Sequence, residues 1–244
     1  MAVTAREIRH RGVVLDGRPF GAAGAYEKVA GVLRLAVDPA NPANRAITDL
    51  GLAPRNTRGA VEASADFYLL QPVDPARGNR RLLLDVPNRG RKVALGMFNS
   101  TPRVPDPSTP EDFGNGFLMR HGYTVAWIGW QHDVPRQDGL MALTVPAARG
   151  ANGPISGPVR CLWRPNLRAA TLPLADRYHI PHPTADLDDP DARLTVCDHV
   201  GAPAVAVPRR AWRFPDASHI ALTGGFAPGK IYELVYRAEH PPLV

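Results

Sequence analysis

Attack on a carbonyl needs a nucleophile, and the sequence offers five serines and two cysteines: Ser64, Ser100, Ser108, Ser156, Ser218, Cys161 and Cys197. A serine on the sharp strand-to-helix turn of a Gly-x-Ser-x-Gly elbow needs glycine two residues away on each side, because neighbouring backbone must approach closely there. None of the five has that pair. Ser156 comes nearest, in Pro154-Ile155-Ser156-Gly157-Pro158, but proline fills both glycine positions, and it reads as a loop serine. Cys161 and Cys197 fall inside apparent strands, where buried structural thiols are expected rather than nucleophiles. Two cysteines define no disulfide framework, and in a reducing compartment both are expected to be free.

A second kind of chemistry is metal binding. His179-x2-His182 followed by Cys197-x-His199 places four borderline or soft ligands within a short stretch that tetrahedral zinc would accept. The spacings fit no finger or ribbon, and His182 stands between Pro181 and Pro183, so these residues read as solvated loop histidines and a strand cysteine. His219 and His240 show no partner. The acidic run from Asp186 to Arg193 lacks the glycine and spaced oxygens of a calcium loop, and reads as a solvated turn.

Any such residues must be positioned by strands. Proline (26) and glycine (22) are about a fifth of the 244 residues, without a collagen period, which excludes a helical bundle. Alternation of apolar residues predicts strands over Tyr26–Val37 and Val61–Leu70, paired as antiparallel neighbours across a Pro/Asn/Gly-rich loop. Leu82–Val86 is a short apolar run suited to a strand buried on both faces. Thr109-Pro110-Glu111-Asp112 then carries a helix start, with the helix ending at His121-Gly122. Tyr123–Trp130, β-branched and aromatic, predicts another central strand, so residues 82–130 form a parallel crossover unit. Beyond Asp133 short apolar runs alternate with proline-rich loops, an antiparallel subdomain that closes with a hairpin turning at Phe226-Ala227-Pro228-Gly229, with Tyr232, Leu234 and Tyr236 on one face.

The net charge is +6, and only Lys28, Lys92 and Lys230 among the 29 basic residues are lysines. The arginines are dispersed, without aromatic interleaving or a reader motif, so a nucleic-acid partner is not expected. The opening MAVTAREIRHRG has no apolar stretch behind it, which predicts neither a signal peptide nor a membrane partner and points to the cytoplasm.

Five segments in order, FGAAGAYEKVAGVLRLAVDPANPANRAITDL, APRNTRGAVEASADFYLLQPVDPARG, LLLDVPNRG, GYTVAWIGWQHDV and LTGGFAPGKIYELVYRAEHP, resemble the amino-terminal half of the large bacterial α/β-hydrolase-domain proteins, over nearly the whole chain. The resemblance implies an α/β, strand-rich fold: an incomplete α/β-hydrolase sheet over residues 1–133, with a large antiparallel β/loop insertion at 134–244 in the same domain. It further implies serine-esterase-like acyl hydrolysis in the intact family, with no cofactor. Read alone, Asn88-Arg89-Gly90 is a turn closing a strand; the resemblance makes it the loop whose backbone N–H helps to hold an oxyanion. Trp130, Gln131 and Asp133 would then stand at the same carboxyl edge of the sheet as pocket residues, where ligands of open α/β sheets bind. No role follows for His132 or Cys197, where the sequence departs from the family's pattern.

The resemblance would lead, beyond HPPLV, into the helix and strand before the elbow, so the chain is expected to lack nucleophile, acid and histidine and to be inactive alone. The alternative expectation is a binding or assembly module. Without its neighbour, the Leu82–Val86 strand would have an unpaired apolar edge, and its partner would be a separate carboxyl-terminal half or a second copy of the chain.

Overall fold

The two alternating segments form the longest strands of a sheet in the computed structural model, which describes residues 1–137, 139–151, 153–176 and 178–239. They are β2 (Tyr26–Val37) and β3 (Val61–Pro72), antiparallel in unbroken register from Tyr26 opposite Pro72 to Val37 opposite Val61. β1 (Ala2–Val13) pairs antiparallel with β2 along its length. Its charged side chains hid it from a pattern search: nearly every residue is exposed, as suits an edge strand held by backbone bonds. Arg11 grips Glu27 with two nitrogens at 2.8 and 2.9 Å, and this pairing, ahead of the opposing effect of burial, lowers the Glu27 pKa.

β4 (Leu82–Asp85) and β5 (Thr124–Ile128) complete the first sheet, with β6 (Leu143–Thr144) on β3; the order is β1-β2-β3-β5-β4. β4 and β5 are its parallel pair, and α1 (Ala94–Phe98), α2 (Pro110–Phe113) and α3 (Phe117–Arg120) lie between them in the chain. The long helix expected from Thr109 to His121 is thus two single turns. Thr109 and Asp112 form the capping box that starts α2, but Gly114 and Gly116 turn the backbone to φ 53° and 65°. Asn99, fully buried, holds the break: its Nδ2 donates to the Phe113 carbonyl at 3.0 Å and its Oδ1 accepts from the Leu118 N–H at 3.0 Å. Tyr26, Leu70, Phe113, Leu118, Met119, Val125 and Trp127 form the core beneath. β4 is not buried on both faces as expected. It ends the sheet, and Leu82 and Leu84 are exposed.

The chain divides into two units, one of Met1–Asn44 with Arg55–Pro146 and another of Arg45–Pro54 with Ala147–Val244. The second contains a short ribbon of β7 (Arg149–Gly150) and β8 (Gly153–Pro154) and seven further strands. These are β9 (Ser156–Trp163), β10 (Ala169–Pro173), β11 (Arg193–Cys197), β12 (Val205–Val207), β13 (Trp212–Asp216), β14 (His219–Phe226) and β15 (Ile231–Glu239). They make two antiparallel sheets, β12-β11-β15-β9 and β10-β14-β13. The expected closing hairpin is therefore absent: β14 and β15 follow one another but join different sheets. Tyr232, Leu234 and Tyr236 do share a buried face. The Phe226 ring meets Tyr232 edge-on at 4.9 Å, so the aromatics join the two strands through the core rather than through a ladder.

An incomplete, helix-flanked α/β-hydrolase sheet is contradicted by this architecture. Strands make up 41% and α- and 3-10 helices together 13%, the three α-helices among the described residues are short, and the sheets are mostly antiparallel. The physical reason lies in the sequence. Period-2 alternation dominates, and turn glycines cut the one expected crossover helix into segments too short to cover a sheet face. None of the helices is long and apolar enough to cross a membrane.

Asn99→Ala should leave the Leu118 N–H unsatisfied in the core, while the Phe113 carbonyl keeps the Gly116 N–H, and destabilise the first unit by about 1–3 kcal/mol. Urea unfolding followed by tryptophan fluorescence measures this; an unchanged midpoint would remove Asn99 as the clamp between α2 and α3.

Candidate functional site

The carboxyl ends of β4 and β5 carry a connected set of polar side chains. Asp85 closes β4, and its Oδ2 accepts from the backbone N–H groups of Val93 and Ala94, both at 2.8 Å, and from the indole Nε1 of buried Trp127 on β5. It thereby ends one strand, starts α1 and locks the neighbouring strand with a single carboxylate. Asn88-Arg89-Gly90 follows as a tight turn: the Arg91 N–H bonds the Asn88 carbonyl at 3.2 Å, and Arg89 and Gly90 stand at φ 54° and 75°. A Cβ on Gly90 would lie 2.8 Å from the Met141 carbonyl oxygen and 2.9 Å from its nitrogen, so both the dihedral and the space require glycine.

The turn is tied to the end of β5. Gln131 Oε1 accepts from the Arg89 N–H at 2.7 Å, and the Arg89 guanidinium pairs with Asp133 at 2.6 Å. Burial pushes the Asp133 pKa up, but Arg89 outweighs it and the net shift is downward. Trp130 is half exposed, its indole N–H donating to the Pro87 carbonyl. All six expected residues, Asn88, Arg89, Gly90, Trp130, Gln131 and Asp133, thus meet at one end of the sheet. The Arg89 N–H is already taken by Gln131, which leaves Gly90 as the inner residue of the turn whose N–H has no bond among the described residues.

A second cluster was missed. Lys28 on β2 pairs with both carboxylate oxygens of Asp106 at 2.6 and 2.8 Å, and the Tyr68 hydroxyl of β3 donates to Asp106 at 2.9 Å. Lys92, buried, donates to the Pro105 carbonyl at 2.6 Å and the Gly139 carbonyl at 3.0 Å, with its ammonium 4.4 Å from the Tyr68 ring centre. Burial lowers the Lys92 pKa to about 8, with Lys28 adding to the effect and Asp106 and Asp66 opposing it. Burial first, then Asp106, raises that of Tyr68. Two of the three lysines of an arginine-dominated chain converge here. Their rarity was the available signal, since a compact ammonium fits a carbonyl cage that a guanidinium fork does not.

The remaining candidates do not assemble. Ser156 lies at the start of β9 opposite Glu239, in a strand rather than the loop expected. Cys161 is buried, its thiol pushed up to about 11 chiefly by burial; Cys197 ends β11, and neither is in a disulfide. The His179 and His182 rings stack at 5.1 Å, but Cys197 and His199 do not come within shared-ligand distance of them among the described residues. His219, expected to stand alone, pairs with Asp216 at 2.9 Å; His240 lies outside the described residues. In the acidic run the Asp186 and Asp189 carboxylates accept from the backbone N–H groups of Asp188 and Asp191, which close turns.

No family model, curated protein or solved structure matches the chain.

Lys92 makes a pH prediction for the first unit. Its pKa is lower folded than unfolded, so between about 8 and 10 the unfolded chain binds more protons and stability rises with pH. From pH 7.5 to 9.5 the gain should be about 2 kcal/mol, seen as a higher urea midpoint and flattened in Lys92→Met. Above pH 10 the raised pKa values of Tyr26 and Tyr68 act oppositely, and stability should fall. A wild-type midpoint that does not rise between pH 7.5 and 9.5 would contradict the Lys92 assignment. Gly90→Ala should cost the same unit about 2 kcal/mol or more, and a variant as stable as wild type would show that the turn has room to relax.

Proposed function

We propose that this chain is a non-catalytic binding module whose β4 edge takes up a parallel strand from a separate polypeptide. The observation that carries the reading is the exposure of β4. Its outer side has no strand among the described residues, and Leu82, Leu84 and Val86 are 63%, 51% and 59% exposed. Parallel strands are ordinarily buried on both faces, and an unprotected apolar edge is a template for pairing with another chain. α1 follows with Met97 and Phe98 also exposed. Strand addition would satisfy the free N–H and C=O groups and set the partner's side chains beside Leu82 and Leu84 on the same face.

The occupant to which this reading commits is the one implied by the resemblance: a carboxyl-terminal part bearing a Gly-x-Ser-x-Gly serine, with its acid and histidine. The parallel orientation of β4 against β5 supports a parallel neighbour, whereas two copies of β4 joined across a two-fold axis would meet antiparallel. The chemistry of the joined pair would be acyl transfer to water. Serine would attack the ester carbonyl with histidine as base, the alcohol would leave and water would release the acid, and the ordered turn at Asn88–Gly90 would supply an oxyanion donor. In this division of labour the present chain supplies the organised rim and the partner supplies the nucleophile.

Two measurements test the reading. The purified chain should hydrolyse p-nitrophenyl butyrate no faster than buffer; turnover abolished by a serine-directed inhibitor would contradict it. Co-expressed with the carboxyl-terminal part of a large bacterial α/β-hydrolase-domain protein, the chain should co-purify with it, and Leu84→Lys should weaken the association at least about tenfold while the variant still unfolds cooperatively. Absence of co-purification, association unaffected by Leu84→Lys, or a stable dimer of the chain that excludes the partner would overturn it.

A further inference from the structure

At the end of β3 that pairs with β6, the first unit contains an open cavity of about 750 Å³, within the size range of small-molecule sites. The strand register builds it. Ala5 of β1, Arg34 of β2, Ser64 of β3 and Thr144 of β6 are successive cross-strand partners. Directly opposed residues put their side chains on the same face of a sheet, so Arg34, Ser64 and Thr144 form one polar row. Ala36 opposite Glu62 is the next row on that face, two residues along.

The turn from Asn56 to Ala60 lines the cavity and is held by hydrogen bonds from Asn56. Asn56 Oδ1 accepts from the N–H groups of Arg58 and Ala60 at 2.9 and 3.1 Å, and its Nδ2 donates to Glu62 at 2.7 Å. This fixes Arg58 at the rim. Its guanidinium has no hydrogen bond or ion pair among the described residues, and neither the Ser64 nor the Thr57 hydroxyl has a protein partner there. Arg34 gives one terminal nitrogen to Glu7 at 2.9 Å and keeps its remaining donors. Several other charged groups of the first unit are paired with one another, as in Arg11–Glu27, Lys28–Asp106 and Arg89–Asp133. An unpaired guanidinium, two unpaired hydroxyls and a carboxylate gathered around a cavity are a set of donors and acceptors that a ligand would complete.

We infer that this cavity is a binding site for a small hydroxylated oxyanion, a sugar or polyol bearing a phosphate or carboxylate group. The anionic head meets Arg58 and Arg34, for which a forked guanidinium is suited to bidentate contact. Ser64 and Thr57 donate to its oxygens. Glu62 would repel a bare anion, so the body of the ligand must present hydroxyl donors to it. The site stands apart from the Asn88–Gly90 turn and uses none of its residues, so it does not depend on the reading of β4.

Calorimetric titration of the full chain with ribose 5-phosphate and with gluconate decides the matter, with ribose as the neutral control. At least one of the two anions should bind with a Kd below about 1 mM, ribose at least about tenfold more weakly, and Arg58→Ala should weaken the anion about tenfold. Arg120→Ala, an exposed arginine outside the cavity lining, should leave affinity unchanged. Arg58 is exposed and only its backbone N–H is bonded, so its truncation leaves the fold intact, which a wild-type urea midpoint would verify. Which anion binds separates a phosphate from a carboxylate head. Failure of both to bind, or equal loss of affinity in Arg58→Ala and Arg120→Ala, would overturn the inference.

Discussion

β4 has hydrogen-bonding groups on two sides and a strand on only one of them. Backbone groups removed from water must be paired, so a short apolar strand at a sheet edge either stays wet or acquires a neighbour. Here the side chains lean toward the second outcome. Leu82 and Leu84, with Val86 just past the end of the strand, stand in solvent, while the other face packs on the core through Leu83. β1 at the far edge shows how an edge is managed when no partner is intended. It is lined with Glu7, Arg9 and Arg11, and two of those charges are tied back to β2 by Arg34 and Glu27, which discourages pairing with another chain.

The open edge stays ordered because its end is held from behind. Asp85 gathers two N–H groups of the α1 start and the Trp127 indole. The Arg89 turn is bonded to Gln131 and Asp133, and Lys92 seats the loop through Pro105 and Gly139 against Tyr68. These contacts hold β4 and the turn after it in place without help from the outer side. Preorganisation of that kind lowers the ordering cost of taking up a partner strand. Among the described residues no buried side-chain nitrogen or oxygen lacks a bond.

What the sequence made legible was the pattern that depends on burial of one face. β2 and β3 alternate cleanly because both line the core, and their bounds and pairing follow from that. β1 was illegible for the converse reason: with nearly all of its residues exposed, no period is imposed on them. The split between α2 and α3 depends on Asn99, distant in sequence, and on two glycines whose positive φ is realised only beside it. β14 and β15 read as a hairpin because a turn separates them, yet they join different sheets and meet through the Phe226 and Tyr232 rings. The six residues of the Asn88–Asp133 site were found together because they follow two recognisable strands. The Lys28–Asp106–Tyr68–Lys92 cluster was not, because its members come from four separate segments and only the scarcity of lysine marked them.

Hydrogen exchange at the amides of Leu82–Asp85 tests the central claim most directly. In the isolated chain, the β4 amides that face away from β5 should exchange much faster than those of β3, and they should become protected when the carboxyl-terminal hydrolase part is added. Full protection of the outward β4 amides in the isolated monomer, or no change in their exchange when that partner is present, would contradict the account.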